Sequence, residues 1–427
     1  MKSIAEIVRH PSPTGSTLKV VADVSMDELH FEAAIKGELV KKEVANRTLE
    51  IGLMLTMLLA KAKLAGYSQV CIVVEPTGCY HELLLRIAEN RGMETSLVNT
   101  SAVKHMRQVL FGDSGKTDVR DPTAIRELAE RGHVLTHRRL PEVFQVMRRY
   151  NVIIDTAERE IVNAKCRIHR CLKALFPDLD FCAGFQYTNS GRAIMAAYGF
   201  DPHAIVRAGL KRVTKKLKRL VPRIRNCTLV RLVDYAEASV QATPDGRMNQ
   251  ARALELQLAW NDLEFHEKRR ADTRSVLENL YDEARQSDPN LPKPAKGFAS
   301  KINLARLIAE TGPPSDFNAW RQLMKMAGLN LCERQSGKYQ GITKISKTGR
   351  RLLRKILTQM ALPLVKKRAL FGQYYHHKRN VEKKKGGVAI TAVARKLLKL
   401  IWGVYKAGGE FSADRVFVCE SQFAQAA

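Results

Sequence analysis

Four acidic residues in this basic chain have the types and surroundings needed for divalent-metal chemistry. Asp23 lies within a short apolar run, and Glu75 ends another. Both runs are rich in β-branched residues and predict buried strands, where a carboxylate is costly unless it is paired or bound to a cation. Asp118 and Asp121 follow at a spacing of three, where a helix is predicted to begin, so they would share one helix face. We therefore expect the four carboxylates to converge on divalent metal beside a phosphate.

Magnesium is the ion that such a group would favour. Mg²⁺ prefers carboxylate and phosphate oxygens and retains several waters. Two ions could hold the attacking and leaving oxygens of a phosphoryl transfer. The plainer interpretation is that Asp118 and Asp121 only stabilise a helix N-terminus through its dipole, and that Asp23 forms a salt bridge.

Composition points to a polyanionic partner. The 427 residues are enough for two or three domains, and 71 Lys and Arg against 43 Asp and Glu give a formal net charge of +28. This excess favours nucleic acid, with an anionic membrane surface as the competing interpretation. No apolar run approaches the roughly 20 residues of a membrane span. The eight cysteines form no CxxC pair, so we expect a reduced, cytoplasmic protein.

The hydrophobic pattern predicts an α/β domain followed by helices. Residues 17–135 follow the order β-β-β-α-β-α-β-α, which is that of a ribonuclease-H-like domain. Long helical periodicity over 141–175 and 248–287 predicts a helical hairpin or coiled coil, with a loop-rich insert at 176–200. The Pro-rich segment 288–294 predicts a linker. The expected organisation is a flexible arm (1–16), the α/β domain (17–135), a helical region with a basic insert (136–290), a mostly helical domain (291–410) and a tail (411–427).

A second group of candidate residues lies in the polar, glycine-punctuated stretch 328–350, which predicts a loop followed by a basic helix. One interpretation is a phosphate-contacting loop without chemistry. The other is a nucleophilic serine beside Arg334 and Lys338, which could neutralise a scissile phosphate. Residue chemistry alone leaves both Ser336 and Ser346 open.

Clustered basic residues are the predicted contacts to nucleic acid. The helix predicted over 203–224 carries charge of almost one sign, which favours phosphate binding over a merely solvated face. The complete predicted set is Lys116, Lys211, Arg212, Lys215, Lys216, Lys218, Arg219, Arg334, Lys338, Lys344, Lys347, Arg350 and Arg351.

The motifs together resemble the DEDD transposases of the IS110 insertion-sequence family. The chain contains D-V-S-x-D from Asp23, E-x-T-G-x-Y from Glu75, L-V-N from Leu97 and K-T-D-x-x-D from Lys116. R-Q-S-G-K and I-S-K-T-G-R-R-L-L-R follow in the C-terminal half, from Arg334 onward. The resemblance spans about residues 18–406 and implies a RuvC-like first domain.

The resemblance also implies a mechanism. Asp23, Glu75, Asp118 and Asp121 would be the metal-binding tetrad, and Ser336 the nucleophile that forms a phosphoserine link to DNA. Such transposases work as multimers, here a dimer or tetramer, guided by a structured RNA. Two alternatives remain open: a metal-dependent endonuclease of the Holliday-junction-resolvase type, with water as nucleophile, and an inactive nucleic-acid-binding protein.

Overall fold

The chain divides into two compact units in a computed structural model, the first ending at Arg139 and the second beginning at Leu140. The structure describes residues 17–76, 78–113, 115, 120–333, 335–336, 339–341 and 343–413. The predicted N-terminal arm and nearly all of the predicted tail lie outside these residues.

The first unit contains the predicted alternation of strands and helices. Its elements are β1 (Thr17–Val24), β2 (Glu28–Ile35), β3 (Glu38–Ala45), α1 (Thr48–Leu64), β4 (Gln69–Val74), α2 (His81–Glu89), β5 (Glu94–Leu97), α3 (Thr100–Phe111), α4 (Arg120–Glu130) and β6 (Leu135–Thr136).

These strands form one sheet in the order β3-β2-β1-β4-β5-β6. The hairpins β1–β2 and β2–β3 are antiparallel, whereas β1–β4 and β4–β5 are parallel. The first five strands have the ribonuclease-H-like arrangement, so the predicted fold class is confirmed. The structure adds two elements to the predicted order: the helix α3, which precedes α4, and the antiparallel edge strand β6.

Helices cover both faces of this sheet, and strand alternation divides the side chains between them. Alternate residues of β1 and β4, among them Ala22 and Val74, pack with α1 and α2. The residues between them, such as Val21 and Val73, pack with α3 and α4. Each central strand is therefore apolar throughout, because both of its faces are buried.

The second unit is mostly helical. Its helices are α5 (Glu142–Leu175), α6 (Asn189–Tyr198), α7 (Pro202–Leu220), α8 (Asn226–Ala242), α9 (Arg247–Ser287), α10 (Lys301–Thr311), α11 (Trp320–Met326), α12 (Arg351–Leu364), α13 (Gly372–His376) and α14 (Gly386–Lys406). Its short strands are β7 (Leu331–Cys332), β8 (Gln335–Ser336), β9 (Tyr339–Gln340) and β10 (Lys344–Ile345). No helix in the described part of the chain is both long and apolar enough to cross a membrane.

The helices α5 and α9 form a long antiparallel pair. Arg170 contacts Glu255 near one end, and Arg274 contacts Glu158 farther along, so sequence positions rise on one helix as they fall on the other. One end packs with α6, α7 and α8 in one core, and the other end packs with α10, α12 and α14 in a second core. The stretch 176–200, expected to be loop-rich, contains α6 because its apolar residues complete the first of these cores.

Candidate functional site

Two predicted carboxylates lie side by side at the carboxyl ends of the central strands. The parallel register pairs Ala22 with Val74, and Asp23 and Glu75 are the next residues on their strands. Each is two positions beyond a residue that packs with α3 and α4, so both carboxylates belong to that face of the sheet. Both side chains are buried, with 7% exposure each.

Helix α4 brings a third carboxylate to the same end of the sheet. The ammonium of Lys19 on β1 donates to the carbonyl of Ala129 near the end of α4, 2.6 Å away. From Lys19 to Asp23 the strand rises about 13 Å, and from Ala129 back to Asp121 the helix spans about 12 Å. Because α4 packs along β1, Asp121 in its first turn lies at the level of Asp23. Asp121 is completely buried.

The partners of these carboxylates differ. One oxygen of Asp23, Oδ1, accepts from the backbone N–H of Val24 at 3.0 Å. Asp121 forms an ion pair with Arg107 of α3, whose side chain is also buried. A buried carboxylate needs such a compensating cation, since its desolvation would otherwise be too costly. The sequence analysis did not identify Arg107, and its only sequence signal is a charge on the sheet-facing side of a helix.

The antiparallel neighbours of β1 extend this polar region. His30 on β2 is the register partner of Asp23, and Glu43 on β3 is the register partner of His30. His30 Nδ1 lies 3.6 Å from Glu43, and His30 Nε2 lies 4.0 Å from Glu28. Among the described residues these three form a group whose ligand atoms lie within 4.8 Å of one another. Both glutamates are exposed, so this geometry also suits an ordinary surface ion-pair cluster around a protonated histidine.

The three buried carboxylates have the donor set of a magnesium site: hard oxygens on a rigid sheet and helix, at one sheet edge. Asp118, the fourth predicted ligand, lies outside the described residues, as does Lys116. The described part of the site therefore brings Asp23, Glu75 and Asp121 to one end of the sheet, but their ligand atoms are not grouped within 4.8 Å of one another as those of the His30 cluster are.

In the second unit, Ser336 lies on a two-tier hairpin. Strand β7 pairs with β10, and within this pair β8 and β9 pair so that Ser336 is opposite Tyr339. The stretch expected to be a loop therefore contains two short antiparallel pairs, and Ser336 belongs to the pair that is inner in sequence. Arg334 and Lys338 lie outside the described residues.

The other candidate serine closes the base of this hairpin. Ser346 Oγ donates to Asn330 Oδ1 at 2.5 Å, and Ser346 N–H donates to the Asn330 carbonyl at 2.9 Å. Gly349 lies against the end of α11, where a Cβ would come within 2.4 Å of the Met326 carbonyl. Ser346 is thus engaged in structure beside the outer pair, whereas Ser336 belongs to the inner one.

A buried polar network anchors this base to the long helix α5. Arg350, which follows the hairpin, donates to Glu310 at 2.8 Å, and Asn151 of α5 donates to the other oxygen of Glu310 at 2.9 Å. Arg306 joins Asn151 to Glu158. Burial acts to raise the pKa of Glu158, but Arg306 and Lys355 outweigh it and hold that pKa below its ordinary value. Arg350, predicted to contact nucleic acid, therefore has a structural partner.

The predicted basic cluster lies on α7, which has no acidic residue. Lys211, Arg212, Lys215 and Arg219 are exposed, and no ion pair involves any of these four within the described chain. Lys216 is also exposed, but its ammonium donates to the Ala197 carbonyl at 2.8 Å. Lys218 is half-buried, and in the C-terminal half Lys344, Lys347 and Arg351 are exposed.

Comparisons with known proteins agree with this architecture. A family model for transposases of the IS110 DEDD type matches residues 21–177, and a model described as "Transposase IS116/IS110/IS902 family" matches residues 296–376. The chain is also 24% identical over 378 residues to the insertion element IS900 uncharacterized 42 kDa protein of Mycobacterium paratuberculosis, covering 86% of this chain and 90% of that protein.

The α/β sheet with its carboxylates and the first family match define a DEDD transposase, an enzyme that acts on DNA and depends on divalent metal. With the C-terminal match and the insertion-element relative, the chain belongs to the IS110 family of insertion-sequence transposases.

We expect the exposed face of α7 to contribute to DNA binding through phosphate contacts. Affinity should fall about tenfold or more between low and physiological salt. Replacing Lys215 and Arg219 together by Ala should weaken binding at low salt and reduce the slope of log affinity against log salt by about 1 to 2. Fluorescence anisotropy over a salt series measures both quantities.

The matched control removes two cations that already have partners. Arg167 and Arg170 form ion pairs with Asp262 and Glu255 across the long helices. Replacing both by Ala removes the same charge but should leave the slope nearly unchanged. Equal slopes in the two double variants would mean that binding depends on net charge and not on α7.

Proposed function

We propose that this transposase recombines DNA through a phosphoserine intermediate, with Ser336 as nucleophile and a Mg²⁺-binding tetrad of Asp23, Glu75, Asp118 and Asp121. The observation that carries the proposal is the convergence of Asp23, Glu75 and Asp121 at one sheet edge, on a fold of the ribonuclease-H-like class. Lone buried acids would not need this common location.

The carboxylates supply a rigid anionic cradle. Asp23 and Glu75 are fixed by strand pairing, and Asp121 by helix packing, so little reorganisation is needed for an oxygen-ligand site to form. A bound divalent ion would polarise a phosphate and neutralise the charge that develops on the leaving oxygen. We assign the fourth ligand to Asp118, which precedes Asp121 by three positions in the sequence.

Ser336 is the better candidate for the nucleophile for a structural reason. Ser346 already donates a hydrogen bond to Asn330 at the hairpin base, whereas Ser336 belongs to the inner strand pair. In the proposed step Ser336 Oγ loses its proton and attacks phosphorus. One deoxyribose oxygen leaves as a hydroxyl, and the phosphate stays on the serine. Attack by the hydroxyl of another strand restores the serine and joins the DNA.

Ser336→Ala should abolish the covalent protein–DNA adduct, because the attacking oxygen is gone, and should leave DNA binding within about twofold. Adducts trapped on element-junction DNA and resolved on denaturing gels provide the measurement. Ser346→Ala is the matched control and should still form adducts, although loss of its hydrogen bond should cost about 1 kcal/mol of stability.

If Ser346→Ala loses the adduct while Ser336→Ala retains it, the wrong serine has been assigned. If the wild-type protein cleaves junction DNA without any adduct, water is the nucleophile and the resolvase-type alternative is correct.

Mg²⁺ should stabilise the first unit by relieving repulsion among its carboxylates. At a hundredfold excess over the dissociation constant the gain is about 2.7 kcal/mol. Asp23→Asn, Asp118→Asn and Asp121→Asn should each remove most of the increase in melting temperature and the strand-transfer activity. Thermal unfolding across a Mg²⁺ series gives the measurement.

Glu43→Gln serves as the control for the exposed cluster around His30. It should retain the wild-type Mg²⁺ response, because two strands, β2 and β1, lie between Glu43 on β3 and Glu75 at the end of β4. A response lost in Glu43→Gln but kept in Asp23→Asn would place the ion in the exposed cluster and contradict the tetrad.

We further propose that a structured RNA directs this protein to its sites, and that it acts as a dimer or tetramer, as the family resemblance implies. The exposed basic face of α7 supports an RNA partner, because it presents unpaired cations to phosphates without any base-reading chemistry. Mass photometry of the protein with and without RNA would test the multimer.

Target choice should depend on the RNA. Exchanging the target-pairing loop of the guide, with the protein unchanged, should move the insertion sites to sequences complementary to the new loop. Sequencing of insertion junctions provides the measurement, and a guide carrying a silent change outside the loop is the control. Insertion sites that stay in place would mean that the protein reads its own target.

A further inference from the structure

The buried ion pair between Arg107 and Asp121 is unusual because part of the arginine side chain has no hydrogen-bond partner among the described atoms. Arg107 contacts Asp121 through Nη1, and both side chains are more than nine-tenths buried. Arg107 Nε is also buried, and it has no hydrogen-bond partner among the described atoms. Leaving a buried charged donor unsatisfied is costly, so hydrogen bonding alone does not explain an arginine here.

Another ion pair on the same helix provides a contrast. Glu32 is as buried as Asp121, but it accepts from Arg126 at 2.7 Å and from Thr123 at 3.3 Å, and Lys41 lies 3.2 Å away. That carboxylate is surrounded by donors, as is usual for a structural pair. The Arg107 guanidinium instead adds one positive charge beside Asp121, at the end of the sheet where Asp23 and Glu75 also lie, and its buried Nε has no hydrogen-bond partner among the described atoms.

The positive charge of Arg107 can compensate repulsion among the nearby carboxylates. Asp23, Glu75 and Asp121 repel one another in a poorly solvated place, and the repulsion is strongest when no metal is bound. A guanidinium stays protonated at any physiological pH, so it compensates this charge permanently. It also fixes the orientation of Asp121 from the side of α3.

We propose that Arg107 is a positioning residue of the metal site, which holds Asp121 in place and compensates its charge before metal arrives and thereby limits how much the fold depends on metal. This inference rests on the proposed tetrad. It assigns to Arg107 no contact with DNA or with the reacting phosphate.

The test compares Arg107→Met with wild type in thermal unfolding of the full chain, with and without Mg²⁺. The metal-free melting temperature of the first unit should fall by about 10 °C, because a buried carboxylate loses its cation. Saturating Mg²⁺ should restore most of this loss, so the metal-induced increase should be about twice that of wild type or more. In strand-transfer assays the Mg²⁺ concentration for half-maximal activity should also shift.

Arg126→Met is the matched control, since it removes from α4 the cation that pairs with another buried carboxylate, Glu32 of β2. It should lower stability without changing the metal-induced increase. If Arg107→Met and Arg126→Met lose stability alike and both respond to Mg²⁺ as wild type does, Arg107 is only structural and the proposal is wrong.

A second variant covers the case in which Arg107→Met stays unfolded at every Mg²⁺ concentration. Arg107→Gln removes the charge but keeps an N–H donor, and its melting temperature is measured with and without Mg²⁺ in the same way. If its metal-induced increase equals that of wild type, the proposal is wrong. Failure of the tetrad itself looks different: wild type would show no Mg²⁺ stabilisation, or Asp23→Asn would retain it in full.

Discussion

Parallel pairing of β1 with β4 is the constraint on which the candidate site depends. It brings two strands from distant parts of the sequence into one register, so that the acidic residue following each apolar stretch reaches the same edge. Every other part of the site is positioned relative to this edge. Helix α4 packs along β1 and brings Asp121, and α3 packs beside α4 and brings Arg107.

The first unit contains buried carboxylates, whose negative charge is costly to remove from water. Buried carboxylates destabilise a fold unless cations accompany them. Here helix α4 takes part in two arrangements: its Arg126 pairs with Glu32 of β2, which Lys41 also approaches, whereas its own Asp121 pairs with Arg107 at the end of the sheet where two further acids lie. The second arrangement lies where the proposed tetrad would bind a cation.

The second unit uses long helices as a frame for a short hairpin. The pair α5 and α9 contributes to two separate cores, and the polar network from α5 through Glu310 to Arg350 holds the hairpin at its base. A nucleophile on a short two-tier ladder would otherwise have few contacts to fix it. The anchoring residues would therefore be as relevant to the proposed chemistry as the exposed cations that are proposed to bind DNA.

The sequence by itself determined the strand and helix order of the first unit, the apolar strands ending in acids, the basic character of α7 and the family. Those features are local: periodicity, charge and motif spacing report on them without any knowledge of the fold. Residue chemistry left Ser336 and Ser346 open, because both are serines in a polar, glycine-rich stretch, and only the family resemblance favoured Ser336. Strand pairing adds one difference between them, since Ser346 donates a hydrogen bond to Asn330.

Only the tertiary structure revealed Arg107, the His30 cluster and the helix α6 within 176–200. Each depends on partners far away in sequence: Asp121 for Arg107, the three-strand register for His30, and the shared core for α6. A sequence pattern predicts the role of a residue only from its neighbours along the chain. A buried arginine or a cross-strand histidine acquires its meaning from contacts that exist only after the strands have paired and the helices have packed.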